Sequence, residues 1–105
     1  MTEMMYNKLV RDKIPECIRS QGEIPRIRIL SDEEYSMALE QKLDEETAEF
    51  HKDKNLEELA DILEVVYTLA ENMGHTKEAL LSACDQKREK RGGFADRIYL
   101  ISKEG

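Results

Sequence analysis

The chain has 105 residues, 37% of them charged and 40% hydrophobic, with no tryptophan and a formal net charge of −7. That length holds a single domain with one small core, and a domain of this size buries only about two-thirds of its unfolded surface, which makes association a natural supplement. No apolar run reaches the roughly 20 residues of a membrane span, and residues 31–75 carry 14 Asp+Glu against 3 Lys+Arg, a poor match to the phosphates of DNA or RNA.

The remaining segments are the reverse, with 9 acids and 13 bases. An acidic middle admits a metal ion and basic flanks admit an anion. The N-terminus lacks the basic-then-apolar layout of a secretion signal. Cys17 and Cys84 read as reduced core thiols. The expectation is a cytoplasmic protein with neither a membrane nor a nucleic acid as partner.

Residues 1–7 read as a loose start. RDKIPECIRSQG follows as a short helix, with Pro15 tolerated in its first turn and Gly22 as its stop. In PRIRIL, Ile27 and Ile29 alternate with Arg26 and Arg28, the period of a strand. Ser31 with Glu34 forms a capping box that opens a long helix to about Lys52. Asn55 with Glu58 repeats the signal, and Gly74 closes the second long helix. The short link between them predicts antiparallel packing. Thr76 caps a third long helix, TKEALLSACDQKREKR, which ends at Gly92-Gly93. The tail ADRIYLIS is again strand-like. The fold expected is a mainly α, antiparallel helical bundle, with residues 25–30 and 96–101 as candidates for a small two-stranded β element, since a lone strand leaves its backbone groups unmatched.

The first long helix aims a carboxylate at its own apolar stripe. With about 100° per residue and Glu46 set at zero, Tyr35, Leu39, Phe50 and Leu43 fall at about −20°, +20°, +40° and +60°. Glu49 lies at about −60° and Glu45 at about −100°. Glu46 and Glu49, i and i+3, project side by side. An ionised carboxylate in apolar surroundings needs a partner or must become neutral. Lys42, one turn away, is one partner; water at a helix end is another; a cation is the third.

On the second long helix Glu58 and Asp61 form another i, i+3 pair. Helix periodicity alone sets Asp61 with Glu57, Glu64, Thr68 and Glu71 on a polar arc, opposite Leu56, Leu59, Ala60, Ile62, Leu63, Val66, Tyr67, Leu69, Ala70 and Met73. A solvated face with Glu58 as a capping residue is therefore the plain reading of that pair. Yet four carboxylates in two such pairs on antiparallel helices can also surround one or two hard cations, and all-oxygen ligands select Mg²⁺ or Mn²⁺ over zinc. Neither His51 nor His75 completes a Glu-x-x-His pair of the di-iron bundles. KREKRGGF adds Lys87, Lys90 and Arg91, and NKLVRDK adds Lys8, Arg11 and Lys13. Bases at a helix C-terminus also serve its dipole.

EETAE followed by ELAD resembles the E-E-x-x-E … E-x-x-D signature of the all-α nucleoside triphosphate pyrophosphohydrolases. The opening YNKLVRDKIPE and the late K-x-x-x-RGGF resemble a subgroup near MazG and the phosphoribosyl-ATP pyrophosphohydrolases. The resemblance covers residues 6–101. It implies a helical bundle that assembles as a homodimer or tetramer around its acidic helices. It also implies Mg²⁺, with Mn²⁺ as a substitute, on Glu46, Glu49, Glu58 and Asp61. Glu45 matches the first acid, which orients or activates a water, so Glu45 and Glu46 are the implied catalytic pair. Lys87 and Arg91 match the phosphate-binding bases, and Lys90, Lys8 and Arg11 join them as candidates. The implied reaction cleaves the α–β phosphate bond of a nucleotide to a monophosphate and pyrophosphate, a house-cleaning activity. The competing expectations are a non-catalytic helical interaction module and a nucleotide-binding regulator that keeps the acidic cluster.

Overall fold

The computed structural model describes residues 2–105. Four helices follow in order: α1 Ile14–Ser20, α2 Asp32–Asp53, α3 Leu56–Asn72 and α4 Lys77–Arg91. Pro15 sits in the first turn of α1, where its missing N–H leaves no bond unmade. Ser31 accepts from the Glu34 N–H and the Glu34 carboxylate accepts from the Ser31 N–H, so the box that opens α2 is complete. Asn55 accepts from the Glu58 N–H to open α3, and Thr76 accepts from the Ala79 N–H to open α4.

Only Lys54 and Asn55 separate α2 from α3, and Lys54 takes the left-handed conformation, with φ 49°, that reverses the chain. The two helices pack as the principal pair, with Leu39 and Val65 buried between them. Asn72 Nδ2 donates to Ser36 Oγ at 2.9 Å and closes the far end. The first half of α4 rests on the end of α3, where Ala79, Leu80 and Ala83 meet Ala70 and Met73. The Lys77 ammonium lies 4.4 Å from the centre of the Tyr67 ring.

Three sequence expectations are corrected. Among the described residues there is no strand. Alternation favours an extended chain, but a ladder needs a second segment in reach. Residues 25–30 are instead tethered by side chains, Arg26 to Glu3 and Arg28 to Glu34. The tail leaves from the end of α4, where every residue from 81 to 105 is exposed. Cys17 and Cys84 are also exposed rather than core thiols, because the helices that carry them bury no residue.

The third correction concerns the rotation of α3. Asp61, Val65, Thr68 and Asn72 form one line, i, i+4, i+7, i+11, and this line faces α2. The arc of leucines does not. Leu56, Leu59 and Leu63 are 77%, 45% and 46% exposed. The two-residue turn limits how α3 can lie on α2, and the acids it brings inward meet cations there.

A single copy is therefore open. Only Leu39, Val65 and Ala70 are buried apolar residues among those described. The radius of gyration is 18.5 Å, against about 13 Å for a compact domain of this length.

The entry to α2 carries a pH signature. Arg28 forks onto Glu34, at 3.1 and 2.8 Å. That fork, with the Ser31 bonds, pulls the Glu34 carboxyl from 4.5 to about 2. A lowered folded value stabilises the fold above pH 4.5, and the contribution is lost as pH falls towards 2. Glu34→Gln should therefore flatten the acid limb of melting temperature against pH in that window. An unchanged limb would mean that the fork contributes nothing.

Candidate metal centre

Glu46 faces α3 from within the stripe of Tyr35, Leu39, Leu43 and Phe50, and its side chain is only 12% exposed. A carboxylate oxygen from each of Glu46, Glu58 and Asp61 lies within 4.8 Å of the other two. A second trio, Glu49, Asp53 and Glu58, meets the same limit. Glu58 belongs to both, so the four acids singled out in the sequence fall into two trios that share it, Glu46 and Asp61 in the first and Glu49 in the second. Asp53 is an addition that sequence reading missed, although its i+4 spacing from Glu49 puts both on one face.

Glu58 does not complete a capping box: Asn55 caps its N–H, but no return bond from its carboxylate is present. Its carboxylate is turned to the cluster instead. Partial burial, then the carboxylates of Asp53, Asp61, Glu49 and Glu46, push the Glu58 carboxyl above its ordinary value. Like charges held this close favour either protonation or a shared cation.

Three bases of the same chain answer part of this charge. Lys42, itself 15% exposed, reaches Glu45 and Glu46, both at 3.2 Å. Lys8 donates to Glu45 at 2.8 Å, and Arg11 donates to Asp61 Oδ1 at 2.8 Å. Burial works to raise Glu45, but the bonds from Lys8 and Lys42 outweigh it and hold its carboxyl below the ordinary value. Glu45 is thus a weak base, suited to holding the lysines or orienting a water. The bond to Glu45 raises Lys8 in turn, against partial burial, and the charges of Glu45, Glu46 and Glu49 add to it.

The arm crosses the seam and encloses a groove of about 380 Å³, walled by Arg11, Lys42, Glu46, Asp61, Glu64 and Thr68. It falls in the range of small-ligand sites. Lys87, Lys90 and Arg91 do not reach it within one chain. They stand on the exposed half of α4, and none pairs with an acid among the described residues.

The donor set fits a hard divalent cation. Oxygens about 2.0–2.1 Å from Mg²⁺ in octahedral geometry sit about 3–4 Å apart. Oxygens that all lie within 4.8 Å of one another need only side-chain adjustment to reach that spacing. The donors are all oxygen, with no thiolate or imidazole to favour zinc.

No helix among the described residues is long and apolar enough to cross a membrane. No family model matches the chain, and no solved structure matches it. Over 42 residues the chain is 64% identical to an uncharacterised protein of Mycolicibacterium smegmatis. That stretch covers 40% of this chain and 43% of that protein, so the chain spans less than half the length of the curated relative it matches.

Proposed function

We propose that this protein is a Mg²⁺-dependent nucleotide pyrophosphohydrolase of the cytoplasm, working as a homo-oligomer, dimer or tetramer. One observation carries the reading: Glu46, nearly enclosed in an apolar stripe, has an oxygen within 4.8 Å of those of Glu58 and Asp61 on the next helix. The resemblance of EETAE and ELAD to the pyrophosphohydrolase signature supplies the reaction class.

In this reading Glu46, Glu49, Glu58 and Asp61 hold the metal, and Mn²⁺ can replace Mg²⁺. When bound, the ion neutralises phosphate oxygens and orients the attacking water. Water adds to the α-phosphorus and loses a proton to solvent, the bond from that phosphorus to the bridging oxygen breaks, and pyrophosphate leaves with the bond's electron pair. Glu45 orients the water through its fixed carboxylate. Arg11 stands on the groove wall to meet phosphate, and Lys8, held on Glu45, is three residues away on the same arm. Lys87, Lys90 and Arg91 join them from the α4 of another copy, which is the role association has here. The bare stripe of Leu56, Leu59 and Leu63 supports such association.

The test is a screen of ordinary and damaged nucleoside triphosphates, and phosphoribosyl-ATP, with Mg²⁺. Pyrophosphate and orthophosphate are measured separately. Pyrophosphate with a monophosphate is the expected result. Orthophosphate alone means that another bond is cut. Metal-dependent binding without cleavage favours a nucleotide-binding regulator, and neither binding nor cleavage favours an interaction module.

A further inference from the structure

Lys8 and Arg11 lie on one irregular arm, residues 2–13, and each reaches a different helix of the acidic seam: Lys8 reaches Glu45 on α2, and Arg11 reaches Asp61 on α3. Asp61 belongs to the trio with Glu46 and Glu58. We propose that Arg11 and a divalent cation compete for Asp61, so that metal loading releases the Arg11 guanidinium into the groove to bind an anion. This rests on the metal reading above and adds to it a linkage between the two ligands.

The geometry allows the exchange. Arg11 holds Asp61 through a single Nη2–Oδ1 bond, and the two side chains are 55% and 39% exposed. Pairs of that exposure are weak and separable. A divalent ion shared by three carboxylates outcompetes one guanidinium on a single oxygen. Once displaced, Arg11 remains tethered: it is three residues from Lys8, which is anchored to Glu45, and its carbonyl accepts the Ile14 N–H at the start of α1. The guanidinium thus stays at the groove wall, where its fork suits a phosphate. By reciprocity, an anion that takes Arg11 frees Asp61 for the metal. Metal and polyphosphate then bind with positive coupling.

The test measures binding, not turnover. Mn²⁺ affinity is read from the free-ion EPR signal for wild type, Arg11→Gln and Lys13→Gln. Lys13 lines the same groove but pairs with no acid among the described residues, so it controls for loss of a groove charge without loss of the Asp61 bond. Metal-saturated protein is then titrated with inorganic tripolyphosphate by calorimetry. Arg11→Gln should bind Mn²⁺ about two- to fivefold more tightly, the span such exposed pairs are worth, yet bind tripolyphosphate more weakly. Lys13→Gln should not show the gain. An Arg11→Gln affinity for Mn²⁺ that is unchanged or lower, or an equal gain in Lys13→Gln, overturns the competition while leaving the metal reading intact. Undiminished tripolyphosphate binding overturns the anion half. If neither wild type nor Arg11→Gln binds Mn²⁺, the metal reading itself has failed and this inference falls with it.

Discussion

Glu46→Gln is expected to abolish pyrophosphate release and to weaken Mn²⁺ binding at least 10–100-fold, the loss that removal of mere supporting groups around a metal already causes. The fold should persist. The amide keeps the shape of the carboxylate among Tyr35, Leu39, Leu43 and Phe50, and Lys42 keeps Glu45 as a partner. Removing one charge from the cluster also relieves Glu58, whose carboxyl that crowding and partial burial push up. The sign of that relief follows from linkage. A raised folded value favours the fold below the ordinary carboxylate range, and the advantage is lost as pH rises through the folded value. At neutral pH the cluster therefore strains the metal-free chain, so in chelator Glu46→Gln should melt no lower than wild type. The paired measurement separates a ligand from a packing residue. Lost Mn²⁺ binding with an intact melt assigns a ligand; full turnover in the purified variant ends the metal assignment.

What the sequence disclosed, and what it concealed, divides along one physical line. Helix ends were legible because a cap is a local event: Ser31 with Glu34, Asn55 and Thr76 each bond within three residues. The position of Glu46 was legible because a helix has a fixed period. The side of α3 that meets α2 was not. A hydrophobic arc says which side should leave water, not which neighbour will cover it. Val65 was left out of that arc, and Asp61 was set on a solvated one, because one helix read alone cannot register the two-residue turn that brings it against α2. The same limit explains the strand expectations. Residues 25–30 alternate and residues 96–101 are strand-like, but pairing is a long-range fact, and Arg26 and Arg28 spend their side chains on Glu3 and Glu34 instead. The arm was legible only as a source of cations; that Lys8 meets one acidic helix and Arg11 the other needed coordinates.

Leu63→Asp is expected to split the assembly. Leu56, Leu59 and Leu63 lie on the side of α3 turned from α2, and α4 covers only the later part of that side, at Ala70 and Met73. Burial of a leucine contributes about 1.5–3 kcal/mol when complete. These side chains still expose about half or more of their surface, so a second copy that covers the three gains several kcal/mol before its costs. An aspartate on that face must be desolvated or left in a gap, at a cost of at least about 1–3 kcal/mol. Since about 1.4 kcal/mol is tenfold in affinity, association should weaken by about tenfold or more, a change that sedimentation resolves. The wild type should sediment as a dimer or tetramer at micromolar concentration and Leu63→Asp as a monomer, with α2 and α3 retained by circular dichroism. Turnover should fall with the loss of mass, because Lys87, Lys90 and Arg91 are outside the groove of their own chain. A wild type that sediments as a monomer, with full activity, would leave those three bases without a route to phosphate and would return that task to Lys8, Arg11 and Lys42 alone.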